Sequence, residues 1–312
     1  MNDQSGSTKI GQGGEGEDRP DRDVIEADGG YEIKTTCATQ SPNVWEVPRT
    51  LTIATLEYRL AVRGRWAIGL TILFALIALG LTTFSGAEVA PDGFERTVAS
   101  LAALSVYLVP LAALAFGYDS IVGRKESGWL HALFSLPIDR STVVVGIFTG
   151  RAVVLSSAIV IGFGIAGGLL LLEFGLDGWP VYFWFVLAAV GTGCAFLSIA
   201  VLVSSIATEK THALGMVLVI WVWFVLLHDL LSLGVIAALN LSETTVTAMV
   251  LSNPASIFRV LTLSFMEIGG GGGFTALYGS IGLSQGALII IMVGWIVTPL
   301  LIAMTLIGRR SL

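Results

Sequence analysis

At 312 residues, 54% of them hydrophobic and only 13% charged, this chain falls far below the roughly 25% charge of soluble domains, and its long apolar runs lack the polar faces that a soluble helical protein needs. The net charge of −6 lies wholly in residues 1–48, where ten acids meet four bases; the remainder is balanced, and no nucleic-acid partner is expected. Cys37 and Cys194 are too distant for a disulfide framework or a metal pair, and Cys194 reads as a small buried apolar residue.

Residues 1–48 are rich in Gly, Asp and Glu and poor in large apolar side chains, the composition of a disordered tail. They hold no apolar segment of the signal-peptide kind. Only four Lys occur against thirteen Arg, which in an acidic chain suits a salt-rich host. Residues 49–65 set Leu51, Leu56, Leu60 and Val62 beside four arginines. That pattern suits an interfacial helix along the inner leaflet; the alternative is a cytoplasmic extension of the first span.

Residues 49–312 then read as an all-α membrane domain of six transmembrane helices. Each apolar run meets the ~20 residues that cross a ~30 Å hydrocarbon core. The runs cover about 66–84, 98–118, 143–172, 181–206, 213–237 and 287–307. Pro110 and Pro299 are expected to kink the second and sixth spans. Gly146 with Gly150, and Gly164 with Gly168, give the third span two small-residue spacings that permit close helix approach.

Between the second and third spans lies a polar island, Asp119–Ser141. A chain this apolar keeps such a stretch where water or a partner receives it. Glu126, Trp129, Leu130, Leu133, Phe134 and Leu136 predict a short helix with a mixed apolar face. Pro137 ends that helix, because proline disfavours helix at the residue before it, and Arg140 marks the return to the membrane. A short amphipathic helix on a loop is shaped to dock in another protein's groove; a plain interfacial loop is the bland reading.

In the fifth span, His228 and Asp229 are the only adjacent ionisable pair inside a predicted span. Intramembrane charge is costly and marks candidate functional residues, although hydration near an interface or a bond to a neighbouring span also accounts for Asp229. A seventh candidate, Thr244–Met266, is rejected because Asn253, Pro254 and Arg259 fall near mid-bilayer. Asn253 before Pro254 is a good helix start, so Pro254–Met266 is expected to lie on the membrane surface. Gly269–Gly273 reads as a flexible linker without the Lys-Ser/Thr of a phosphate loop.

Lys and Arg near the span ends set orientation. Arg49, Arg59, Arg63, Arg65, Arg124, Lys125, Arg140, Lys210, Arg309 and Arg310 gather on one side, against Arg96 and Arg259 on the other. Both termini are therefore expected in the cytoplasm, with the chain in the plasma membrane. There is no Gly-Lys dipeptide, hence no P-loop, and no HExxH. The three histidines fall on separate elements. No catalytic residue, metal site or directly bound cofactor is expected.

The stretch Gly123-Arg124-Lys125-Glu126-Ser127-Gly128, with Leu133-Phe134-Ser135-Leu136-Pro137-Ile138-Asp139-Arg140, resembles the first cytoplasmic loop of ABC-2-type permeases, roughly G-E-R-E-x-G-T-L followed by L-L-S-L-P-V-S-R. Arg124 stands where that pattern has an acid, and Trp129 where it has Thr. The run Trp221-Val222-Trp223-Phe224-Val225-Leu226-Leu227-His228-Asp229-Leu230 and the segment Ser252-Asn253-Pro254 with Phe258-Arg259 are similar to the NosY-like branch, which serves maturation of the copper enzyme nitrous-oxide reductase. The resemblance covers about residues 50–310.

It implies a permease subunit of an ABC exporter with an N-terminal elbow helix. ATP would be used by a separate ATPase subunit, and the permease would pair with a second copy of itself or a related permease. The loop would carry the coupling helix, with Arg124, Lys125, Glu126, Trp129, Leu133, Phe134, Pro137 and Arg140 at the docking surface. Two alternatives stay open: a stand-alone secondary transporter, for which no inverted repeat or set of midplane ions is evident, and a membrane anchor or assembly scaffold.

Overall fold

The computed structural model describes residues 49–84, 93–128, 139–175, 178–239, 242–265 and 283–309. The acidic tail, the tip of the polar island from Trp129 to Ile138 and the glycine-rich linker lie outside the described residues. Among the described residues all regular structure is helical. In a bilayer this is expected, since each backbone N–H and C=O must find a partner within its own segment. The order is α1 (Arg49–Arg63), α2 (Trp66–Phe84), α3 (Gly93–Gly117), α4 (Val122–Glu126), α5 (Arg140–Phe174), α6 (Trp179–Ile206), α7 (Lys210–Trp221), a π-helical turn (Val222–Leu227), α8 (His228–Ala238), α9 (Glu243–Leu251), α10 (Pro254–Phe265) and α11 (Gln285–Arg309).

Six helical stretches are long and apolar enough to cross a membrane, in the order expected from the sequence. The fifth is α7, the π turn and α8 taken together. The second starts earlier than expected and runs on into the loop, from Gly93 to Glu126. Pro110 and Pro299 stand inside uninterrupted α3 and α11. The centre of the bundle is α6: 67% of its spanning window is buried, against 17% for α2.

Phe74 of α2, Phe163 of α5, and Tyr182 and Phe185 of α6 join in a chain of tilted and edge-on rings. Phe185 passes the contact to Phe258 of α10. Such offset geometries are preferred over face-to-face stacking. The Tyr182 hydroxyl donates to the Phe163 carbonyl, which satisfies the one polar atom of this aromatic core.

The two small-residue spacings of α5 part company. Gly146 and Gly150 receive Ile53 and Glu57 of α1 at distances no side chain would permit. They are a contact within the chain, and they set α1 alongside the opening turns of α5 in parallel register. Gly164 and Gly168 meet nothing within 4 Å. At the α1–α2 joint Arg65 takes φ +62°, a left-handed conformation costing about 1–2 kcal/mol outside glycine.

The expected surface helix is corrected. Asn253 and Pro254 do begin α10, but eight of its residues, from Pro254 through Thr262, are buried. It lies inside the bundle. With α9 it forms a pair bent by 110° at Ser252–Asn253. The reason is pairing: the polar groups weighed as a mid-bilayer cost all find partners there.

Candidate functional site

Two polar constellations stand at opposite ends of the bundle. The first is the root of the polar island, reached as α3 ends at Gly117. A methyl on Gly117 would overlap Ala200 of α6, so glycine lets the chain leave against α6. The backbone N–H groups of Ile121 and Val122 then both donate to Ser204 Oγ on α6, at 2.9 and 3.0 Å. Arg124, one turn later, makes an ion pair with Glu57 of α1. Arg151 of α5 lies 3.7 Å from the other Glu57 oxygen and donates to Asp119 Oδ1 at 2.9 Å. Its guanidinium also donates to the Phe116 carbonyl and covers the Phe116 ring. Glu57 is only 3% exposed, so it is the buried centre of a clamp of two arginines and two carboxylates drawn from α1, the loop root and α5, with Asp119 at its exposed edge.

The flanks of the island are fastened as well. Glu126 accepts from the backbone N–H of Lys210 at 2.7 Å, supplying the carboxylate that a helix N-terminus favours to α7 from another element. Arg140 donates to the Ile307 carbonyl at 3.1 Å, in the last turns of α11, where a cation suits the helix C-terminus. Lys125 is half-buried on the same turn as Arg124. Trp129, Leu133, Phe134 and Pro137 lie outside the described residues. The structure thus turns three of the expected docking residues, Arg124, Glu126 and Arg140, toward helices of their own chain. The sequence reading missed Glu57, Asp119, Arg151 and Ser204. Arg151 carried a signal, as a lone cation in the apolar run of the third span; Ser204 carried none.

The second constellation surrounds His228 and Asp229. In the π turn the N–H of His228 reaches back to Trp223 O, so the Phe224 carbonyl loses the donor an α-helix would give it. Asn253 Nδ2 at the bend donates to that carbonyl at 2.7 Å, while its Oδ1 caps α10 by accepting from Ala255 N at 2.9 Å. Asp229, 6% exposed, accepts from Ser256 Oγ at 3.1 Å and forms an ion pair with Arg259. His228 Nδ1 lies 3.2 Å from Asn253 Nδ2 and Nε2 lies 3.0 Å from Ser252 Oγ. Ser252 Oγ itself donates to Met249 O at 2.6 Å. One proton arrangement satisfies the whole set: Asn253 donates to a bare Nδ1, and Nε2–H donates to Ser252. His228 and Asp229 therefore serve different partners; 3.6 Å separates Nδ1 from the Asp229 carboxylate.

From α11, Trp295 Nε1 donates to the Leu251 carbonyl at 3.1 Å, satisfying the end of α9. At the last residue of α10, Phe265 stacks on Trp184 of α6 at 4.6 Å. Ser252, Asn253, Ser256, Trp295 and the π turn were not singled out as partners in the sequence. Among the described residues no group of three His, Cys, Asp or Glu is placed to hold a metal ion.

Residues 51–312 match the family described as ABC-2 family transporter protein. The chain is 34% identical over 283 residues to the Probable ABC transporter permease protein NosY of Pseudomonas aeruginosa, covering 85% of this chain and 100% of that protein. It is 34% identical over 278 residues to the protein of the same name from Stutzerimonas stutzeri, covering 86% of this chain and 98% of that one.

Proposed function

This chain belongs to the ABC-2 family of transporter proteins as a multi-pass ABC permease subunit, and we propose that it converts ATP hydrolysis by a separate ATPase subunit into substrate export, docking that subunit at Asp119–Ser141. It has no catalytic site of its own in this reading and works beside a second copy or a related permease. The loop end of the bundle, with most of the chain's Lys and Arg, faces the cytoplasm.

The observation that carries the reading is the fastening of the loop root. Glu57 on α1, Ser204 on α6, the Lys210 N–H on α7 and the Ile307 carbonyl on α11 all bond residues 121–140. A push on the loop is therefore delivered to four elements. An ATPase can bias a permease between two states only through contacts that differ between them, and this root is suited to transmit such a difference. With Arg124, Glu126 and Arg140 held to the bundle, docking falls on the loop tip, where Leu133 and Phe134 supply apolar anchors.

Phe134→Asp is expected to abolish co-purification of the ATPase while the permease stays monodisperse and helical. Full retention of the ATPase by that variant would refute docking at the loop. By resemblance to the NosY-like branch, the exported cargo serves maturation of a copper enzyme. A hydrolysis-dead ATPase that still supports maturation would favour the scaffold reading over export.

A further inference from the structure

We propose that the cavity at the root of the polar island binds the phosphate of one anionic phospholipid of the phosphatidylglycerol class, with Lys210 as its principal cation. The site stands whether or not the chain exports anything; the orientation reading enters only in naming the leaflet as the cytoplasmic one. Three observations carry it.

The first is depth. From Arg151 to its end at Phe174, α5 is about 35 Å long at 1.5 Å per residue, close to the ~30 Å hydrocarbon core. Arg151 therefore stands at headgroup level, and the turns of α5 before it extend past the bilayer with α1 beside them. Other spans end at the same level: Phe116 in the last turn of α3, Trp66 opening α2 and Lys210 opening α7. A cavity of about 260 Å³ lies among these four residues. The second is charge. Among the described residues, Arg124, Arg151 and Lys210 border the cavity against two carboxylates, Glu57 and Asp119. The arginines share Glu57, and Arg151 also takes Asp119. Lys210 is the least committed. Its Nζ lies 3.9 Å from Glu126, with the two side chains 47% and 37% exposed, a pair worth little in water. Gly123 gives the lysine room, since a Cβ there would overlap Lys210 Cε. The lining thus keeps one net positive charge, and a phosphodiester carries one negative. Exposed Arg59, Arg63 and Arg65 nearby on α1 and its joint with α2 add a field that favours an anionic over a zwitterionic headgroup.

The third is the apolar side of the same cavity. Leu60 and Trp66 border it and are about half exposed, and tryptophan is favoured at the membrane–water boundary. From Trp66 an exposed apolar stripe, Ile68, Ile72 and Leu76, runs along α2 into the span. Acyl chains can lie on that stripe while the phosphate enters between Lys210 and the two arginines. A free phosphate ion would use the cations alone; the continuity of charged cavity and apolar stripe fits a lipid.

The test titrates the full-length permease, delipidated in detergent micelles, with phosphatidylglycerol, with phosphatidylethanolamine and with millimolar inorganic phosphate. Native mass spectrometry counts what each subunit retains. One phosphatidylglycerol per subunit is expected to bind at least about fivefold more tightly than phosphatidylethanolamine. Lys210→Gln is expected to weaken that binding about fivefold, the worth of one cation at a headgroup. Ala61→Leu adds bulk at a lining position without changing charge and is expected to abolish it. Arg59→Gln removes a cation of α1 that does not border the cavity and is expected to leave binding close to that of the parent. Circular dichroism checks that each variant is folded; should Ala61→Leu not fold, Lys210→Gln against Arg59→Gln decides. Equal binding in all three variants overturns the site, and so does equal weakening by Lys210→Gln and Arg59→Gln, the mark of general surface attraction. Phosphatidylethanolamine bound as tightly as phosphatidylglycerol overturns the anionic assignment. Inorganic phosphate that displaces the lipid gives the cavity to a soluble anion and overturns it as well. None of these measurements involves an ATPase, so their failure leaves the permease reading standing.

Discussion

Glu57 offers the sharpest quantitative test of the clamp. Glu57→Ala keeps the Cβ that packs on Gly150 and removes the carboxylate with its one Cγ methylene. Arg124 loses its ion-pair partner, while Arg151 retains Asp119 at 2.9 Å and the Phe116 carbonyl. The loss is therefore concentrated on Arg124, now beside a second guanidinium without the anion between them. Arg124 and Arg151 side chains are 14% and 13% exposed, too little for water to replace the carboxylate fully. Breaking a buried pair from one side costs about 3–5 kcal/mol, and the residual exposure places the expectation at the lower end, about 3 kcal/mol. Reversible unfolding of the purified permease in mixed micelles reads this directly. A double-mutant cycle with Arg124→Gln separates the pair from the rest of the clamp. In the assembled complex the variant is expected to bind the ATPase and fail to stimulate it, since the loop tip is intact and its attachment to α1 is not. A destabilisation under about 1 kcal/mol, the level of an exposed pair, would refute the buried-clamp reasoning.

Gly150→Ala forces a methyl into Glu57 and the Ala54 carbonyl; about 1–3 kcal/mol of overpacking is expected, measured by the same unfolding assay, whereas Gly164→Ala, which meets open space, should be silent there. Asn253→Ala removes both the α10 cap and the donor to Phe224 O, for an expected loss of about 2 kcal/mol and faster proteolysis between α9 and α10 in detergent. Glu126→Gln with Arg140→Gln should weaken the ends of α7 and α11 by about 0.3–1 kcal/mol each, leaving ATPase co-purification intact because both side chains face their own bundle; loss of the ATPase without loss of stability would return them to the docking surface.

The six spans were legible in the sequence, as were the cap at Asn253 and the place of the polar island. A transmembrane helix satisfies its backbone within itself, so length and hydropathy locate it without knowledge of its neighbours. Asn253 followed by Pro254 likewise starts a helix by local chemistry. What the sequence reading missed about α10 was its burial against the other helices. Asn253 and Arg259 were counted as an unpaid mid-bilayer cost, because Phe224 O and Asp229 lie 29 and 30 positions away. Only the packing of the π turn and the first turn of α8 against the start of α10 brings them together. The same holds for Glu57, whose partner Arg124 is 67 positions off. Composition and periodicity determined which segments enter the membrane. Tertiary structure decided which buried charges meet, because a polar side chain's free energy depends on the group opposite it, and that group belongs to another helix.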